Sequence, residues 1–198
     1  MHECIKPDET LIQGLKQQVA AGAVYAFNDL FNLFAARLTK FAYSIVKDRE
    51  AAIDIVDEVF IKLWKRKEDI VNIDHIITYL YTATKNTALN HLSRKIQRSY
   101  QLTDDFINIR LTDDERPDVK LISSELFDKI RKAVEALPPR CKIIFKLVRE
   151  DGLKYKQVAE VLGISEKTVD AQMVIAVKRI ADNVSIYFDH FPARFQKK

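Results

Sequence analysis

From residue 23 through residue 116 this 198-residue chain contains neither a glycine nor a proline. Those two residues supply the positive φ and the preset φ that tight turns use, so a stretch without them has few places to reverse. The whole chain has only 4 Gly and 5 Pro. An all-β fold, with a turn about every 8–12 residues, lacks the residues for its hairpins. Long helices remain, and the apolar residues recur at the helical period.

Phe27, Phe31, Phe34, Leu38, Phe41 and Ile45 recur at threes and fours, and the spacing predicts one long helix over 10–47. "KDRE" (47–50) interrupts it. In "AAIDIVDEVFIKLWKRK" the inward set is Ala52, Ile55, Val56, Val59, Phe60 and Leu63. Asp54, Asp57, Glu58, Lys62 and Lys65 are left outside. "EDIVNIDH" (68–75) is a loop or short turn. A third long helix is expected over 76–98, with an apolar line of Ile77, Leu80, Thr84, Ala88 and Leu92. Its polar line is Tyr79, Thr82, Asn86, Asn90 and Arg94, with Lys85, Lys95 and Arg98 alongside.

Composition then shifts. Residues 99–120 carry the pairs Asp104–Asp105 and Asp113–Asp114, a proline and no sustained period, as a linker does. A helical stripe returns over 121–136 with Leu126, Ile130, Val134 and Leu137. Pro139 is placed to open the next helix, whose stripe is Cys141, Ile144, Phe145 and Val148. "EDGLK" (150–154) turns. The expected fold is all-α: two small helical domains, about 10–98 and 121–185, joined by an acidic linker over 99–120.

"YKQVAEVLGISEKTVDAQMVIAVKRI" (155–180) packs two helices and a turn into few residues. Tyr155, Val158, Ala159 and Leu162 share one face. Gly163 suits the left-handed residue that ends a helix, and Ser165 followed by Glu166 suits the start of another. The second helix is expected to bury Val169, Met173, Ala176 and Ile180. This is the pattern of a helix-turn-helix, whose second helix enters the major groove of DNA.

The totals exclude several classes. Net charge is +4, from 32 basic and 28 acidic residues, which permits a nucleic-acid partner without demanding one. Cys4 and Cys141 are far apart and belong to no metal-ligand cluster, so neither a metal nor another cofactor is expected. No nucleotide-binding, serine-hydrolase or zinc-protease motif is present, and no enzyme activity is expected. "MHECIKPDET" lacks the apolar core of a signal peptide, and no window approaches a membrane span, so a cytoplasmic, reduced chain without membrane insertion is expected.

Taken in order, "AAIDIVDEVFIKLWKRK", "YLYTATKNTALNHLSRK" and "LPPRCKIIFKLVREDGLKYKQVAEVLGISEKTV" resemble three successive segments of bacterial sigma factors of the extracytoplasmic-function type, and the resemblance covers nearly the whole chain. It implies a transcription initiation factor that binds core RNA polymerase and directs it to promoters. The first segment would bind the polymerase clamp through Asp54, Asp57, Glu58 and Lys62. The second would capture the melted non-template strand of the −10 element, with a base flipped into a pocket made partly by "KEDIVNIDH" (67–75). The helix-turn-helix would hold the −35 duplex. An anti-sigma factor is implied as a further partner, and the acidic linker looks like the family's mimic of nucleic acid.

Residue chemistry agrees with these roles. Asn86 and Asn90 can offer amide pairs to base edges, and Tyr79 can stack on an unstacked base. Lys85, Arg94, Lys95 and Arg98 can pair with phosphates. On the recognition helix the outward positions are Lys167, Thr168, Asp170, Ala171, Val174, Ile175 and Lys178. Asp170 could accept from cytosine, Gln172 could serve adenine, and Ala171 and Val174 could touch thymine methyls. Phosphates would fall to Lys154, Lys156, Lys167, Lys178 and Arg179. Asp170, Gln172 and the apolar pair at 174–175 depart from the residues frequent in the family. Val174 and Ile175 either face DNA or are covered by another surface. A repressor-like output domain that binds DNA without polymerase is the alternative, and a mimic that only sequesters an inhibitor is a third.

Overall fold

The structure is a computed structural model and describes residues 8–99 and 124–188. Within them lie eight α-helices and one 3-10 turn, and no strand. The linker acids, Cys4 and residues 189–198 fall outside the described residues.

The stretch 10–47 is two helices, not one: α1 (Glu9–Ala20) and α2 (Val24–Val46). Helical periodicity runs on through both, but Gly22 takes a left-handed φ of 87° and breaks the chain direction. Asp8 caps α1 by accepting from the Thr10 N–H at 3.2 Å. Lys47 ends α2 in the left-handed conformation, and Asp48 then caps α3 (Arg49–Lys65) by accepting from the Ala51 N–H at 3.1 Å. A 3-10 turn (Lys67–Asn72) leads into α4 (Ile76–Ser99).

α2 is the axis of this half. It packs on both α3 and α4, while α1 lies against α2 and along the 3-10 turn. Leu30, Phe34 and Leu38 are wholly buried, each contributing about 1.5–3 kcal/mol. The inward set expected for α3 is buried in full. Aromatic rings tie α2 to α3: Phe31 meets Phe60 edge-on at 4.9 Å, and Phe27 lies 4.9 Å from Trp64.

The second half contains α5 (Ser124–Glu135), α6 (Pro139–Arg149), α7 (Tyr155–Leu162) and α8 (Glu166–Phe188). Pro139 does open α6. Val134 at the end of α5 and Leu137 just after it are buried as the stripe predicts, with Ala133 beside them, but Ile130, one turn earlier, is exposed. On α7 Val161 is wholly buried and Leu162 only half. Val169, Met173 and Ala176 of α8 are buried.

The two halves meet. α7 packs against α4, and Ile144, Leu147, Leu153, Val158, Val161 and Val169 belong to the same buried cluster as Leu30, Phe34 and Leu80. A separate small cluster joins Val134, Leu137, Cys141 and Ala176 across α5, α6 and α8.

Candidate polymerase and nucleic-acid interfaces

On α3, Asp54, Asp57, Glu58 and Lys62 are all exposed. Glu58 and Lys62 pair at i, i+4, which at this exposure contributes a few tenths of a kcal/mol. Sequence reading missed two neighbours: Ile53 is 43% exposed and Ile61 is 55% exposed on the same side. They fall at i and i+8 with Asp57 midway, off the buried stripe. Apolar residues set among charges give a face something to bury against a partner, which a merely solvated helix lacks. Trp64 sits half-buried at the edge, stacked on Phe27, with the Lys67 ammonium 5.6 Å above its ring.

On α4, Tyr79, Asn86, Asn90, Arg94 and Lys95 are exposed and Lys85 is half-buried. Spacings of seven, four and four keep Tyr79, Asn86, Asn90 and Arg94 on one face. Thr82, expected on that line, is half-buried with its hydroxyl turned inside. Thr84 is buried and donates its hydroxyl to the Leu80 carbonyl at 2.8 Å, as a threonine inside a helix can. Leu89, 39% exposed, adds an apolar patch near the asparagines. On the inner side Tyr81 is buried, 5.2 Å from the Phe41 ring.

The helix-turn-helix is built as its sequence suggests. Gly163 ends α7 at φ 67°, ψ 41°. Ser165 accepts from the Thr168 N–H at 3.0 Å, and the two hydroxyls lie 2.8 Å apart. Thr168 is therefore half-buried and occupied by the cap, which separates it from the outward set. Lys167, Asp170, Ala171, Lys178 and Arg179 are exposed, as are Lys154 and Lys156 at the start of α7. Gln172 is half-buried, and its carbonyl accepts from the Cys141 thiol at 3.3 Å. Burial pushes the Cys141 thiol up, with Arg179 pulling the other way. Val174 is 62% exposed and Ile175 40%, so among the described residues nothing covers them.

Between α2 and α6 a cleft of about 270 Å³ is lined by Arg37, Lys40, Glu135, Lys142 and Asp151, among others. Glu135 bridges Lys142 at 3.0 Å and Lys146 at 3.2 Å. Burial pushes the Asp151 carboxyl up to about 6. The Tyr81 hydroxyl, Arg37 and Lys40 oppose that rise, and Glu150 adds to it. Asp151 is thus a carboxyl drawn out of water where the two halves touch.

Two family descriptions match this chain: sigma-70 region 2 over residues 30–98 and sigma-70 region 4 over residues 127–180. The chain is 28% identical over 183 residues to the ECF RNA polymerase sigma-E factor of Haemophilus influenzae, covering 87% of this chain and 94% of that one. It is 25% identical over 179 residues to the sigma-E factor of Escherichia coli strain K12, covering 87% and 93%. Two solved structures share the fold. CnrH, in complex with the cytosolic domain of CnrY, has a TM-score of 0.52 at 17% identity and covers 88% of this chain and 97% of its own. The sigma factor RpoE of Bartonella quintana, in complex with the anti-sigma factor NepR, has a TM-score of 0.52 at 18% identity and covers 81% and 97%. Both regions, in order along one chain, make this protein a promoter-specific transcription initiation factor of the extracytoplasmic-function sigma family.

Proposed function

We propose that α3 docks core RNA polymerase, that α4 with the preceding turn captures the melted −10 strand, and that α7 and α8 hold the −35 duplex. The observation that carries this reading is the pair of asparagines on α4. Asn86 and Asn90 are both exposed on a helix whose other face is buried. Asparagine is a poor helix former, and two of them one turn apart on an open face offer bidentate donors and acceptors to bases. Tyr79 on the same face provides a stacking surface, and Arg94 and Lys95 provide charge for the backbone. On α3, the Ile53–Ile61 pair among Asp54, Asp57, Glu58 and Lys62 supports a protein partner over a solvated face.

The domain limits follow the same reading: 10–98 for polymerase and −10 contacts, and 121–185 for the −35 contacts. An anti-sigma factor is proposed as a regulatory partner, since RpoE of Bartonella quintana is seen bound to one. Any catalysis belongs to the polymerase.

The test is transcription in vitro with purified core polymerase from the source organism and the DNA upstream of this protein's own gene. A discrete transcript that requires the protein supports the reading, and its start point locates the two elements. Absence of both transcript and core binding would sink it.

A further inference from the structure

Lys16 is 2% exposed, more deeply buried than any other charged side chain among the described residues. It lies on the inward side of α1 with Ile12, Leu15 and Val19. An ammonium is strongly hydrated, and burying one is costly unless its donors are used. Its Nζ donates to the Ile73 carbonyl at 2.7 Å and to Gln13 Oε1 at 3.1 Å. Ile73 is 57 residues away and directly follows the 3-10 turn. A leucine at position 16 would fill the apolar stripe but could not make that bond.

Other contacts hold the same turn. α1 packs along it, and Ile70 at its middle is wholly buried. At its start Lys67 passes close to Gly22, where a Cβ would meet Lys67 Cε at 3.8 Å. The turn is thus held at its exit and its centre, while Glu68, Asp69, Val71, Asn72, Asp74 and His75 stay exposed. The match to sigma-70 region 2 begins at residue 30, so α1 lies outside it.

We propose that α1 clamps the turn 67–75 in a base-reading shape, with Lys16 as the positioning residue that holds its exit. The inference rests on the proposal that this turn helps form the −10 pocket. A pocket held in place before binding avoids the ordering cost that a loose turn would incur, and it keeps a wrong base from being accommodated.

The test uses the full chain with Lys16→Met and Lys16→Gln, the second of which can still donate to a carbonyl. Hydrogen exchange is measured first. Lys16→Met should speed amide exchange at 68–75 by about tenfold or more and leave α2 and α3 unchanged. Unchanged exchange at the turn overturns the clamp, and so does equal acceleration throughout the chain for both variants. Holoenzyme binding is then measured to the non-template strand from the promoter upstream of the protein's own gene, with single-base substitutions across the −10 element. Wild type should reject a wrong base by roughly five- to hundredfold. Lys16→Met should bring that ratio down toward one while core binding and −35 duplex binding hold, and Lys16→Gln should recover part of it. Full discrimination by Lys16→Met overturns the positioning role. Selective exchange in a wild type that discriminates no base would leave the clamp standing and remove the pocket reading instead.

Discussion

The outward faces of α4 and α8 are opposites. α4 presents Tyr79, Asn86, Asn90, Arg94 and Lys95, side chains that stack, pair or carry charge. The middle of α8 presents Ala171, Val174 and Ile175, with Lys178 and Arg179 beyond. A melted strand shows whole bases and rewards directional amide contacts, whereas a closed duplex shows only groove edges and phosphates. Under the roles proposed for α4 and α8, specificity in this molecule would be weighted toward the melted strand. The helix-turn-helix would supply position and charge, with a narrow readout through Asp170 and methyl contacts.

The largest effect that would break this contrast is on α4. Asn86→Ala combined with Asn90→Ala should lower open-complex formation about a hundredfold or more, at about 1–3 kcal/mol per lost amide pair. Core binding should be unchanged, as measured by co-elution and permanganate footprinting. A double mutant that opens promoters normally would remove α4 from the comparison.

The seam between the two regions comes next. The Asp151 carboxyl titrates near 6 in the packed chain against an ordinary 3.8. The packed form therefore binds the proton more tightly. The stability this adds is fully present below about 3.8 and is lost as pH rises through 6. Asp151→Asn should raise stability at pH 7 by on the order of 1–3 kcal/mol and flatten the melting temperature between pH 4 and 6. A steeper pH dependence in the variant would contradict the assignment.

Two smaller effects sharpen the α8 side. Asp170→Ala should relax preference at one −35 base pair by about tenfold and leave other positions alone, in a binding series over single-base variants. Lys178→Ala should weaken every −35 sequence alike by a few-fold and lower the salt slope by about 1. A change of base preference from Lys178→Ala would show that this side chain reaches an edge.

Periodicity carried most of the fold. The buried sets of α3 and α8 follow directly from apolar spacing, and Pro139, Gly163 and Ser165 mark the start of α6, the end of α7 and the start of α8 by backbone chemistry that is local. The break between α1 and α2 was hidden, because the 3.6-residue pattern continues across it and Gly22 alone signals the turn. Thr168 is half-buried rather than fully outward, because its hydroxyl joins the local cap with Ser165. Ile53 and Ile61 were legible as exceptions to the stripe but were passed over among the charges. The Lys16–Ile73 bond and the Asp151–Tyr81 contact were illegible, since each joins residues dozens of positions apart and no sequence pattern encodes such a pairing.

The packing of α7 on α4 has a consequence for how tightly this factor engages a promoter. The −10 and −35 elements are centred roughly 25 base pairs apart, about 85 Å along B-form DNA. A compact chain of this length has a radius of gyration of about 16 Å and so a diameter near 40 Å. Under the proposed roles, one molecule holding both elements would have to part α7 from α4, and a closed molecule would lack that grip. Apparent affinity is then the intrinsic affinity scaled by the open fraction: a chain closed about 99% of the time binds about a hundredfold more weakly than its contacts allow. Whatever holds the seam shut would then silence transcription without touching any of the residues proposed to read bases. Whatever binds only the parted form recovers that hundredfold as apparent cooperativity.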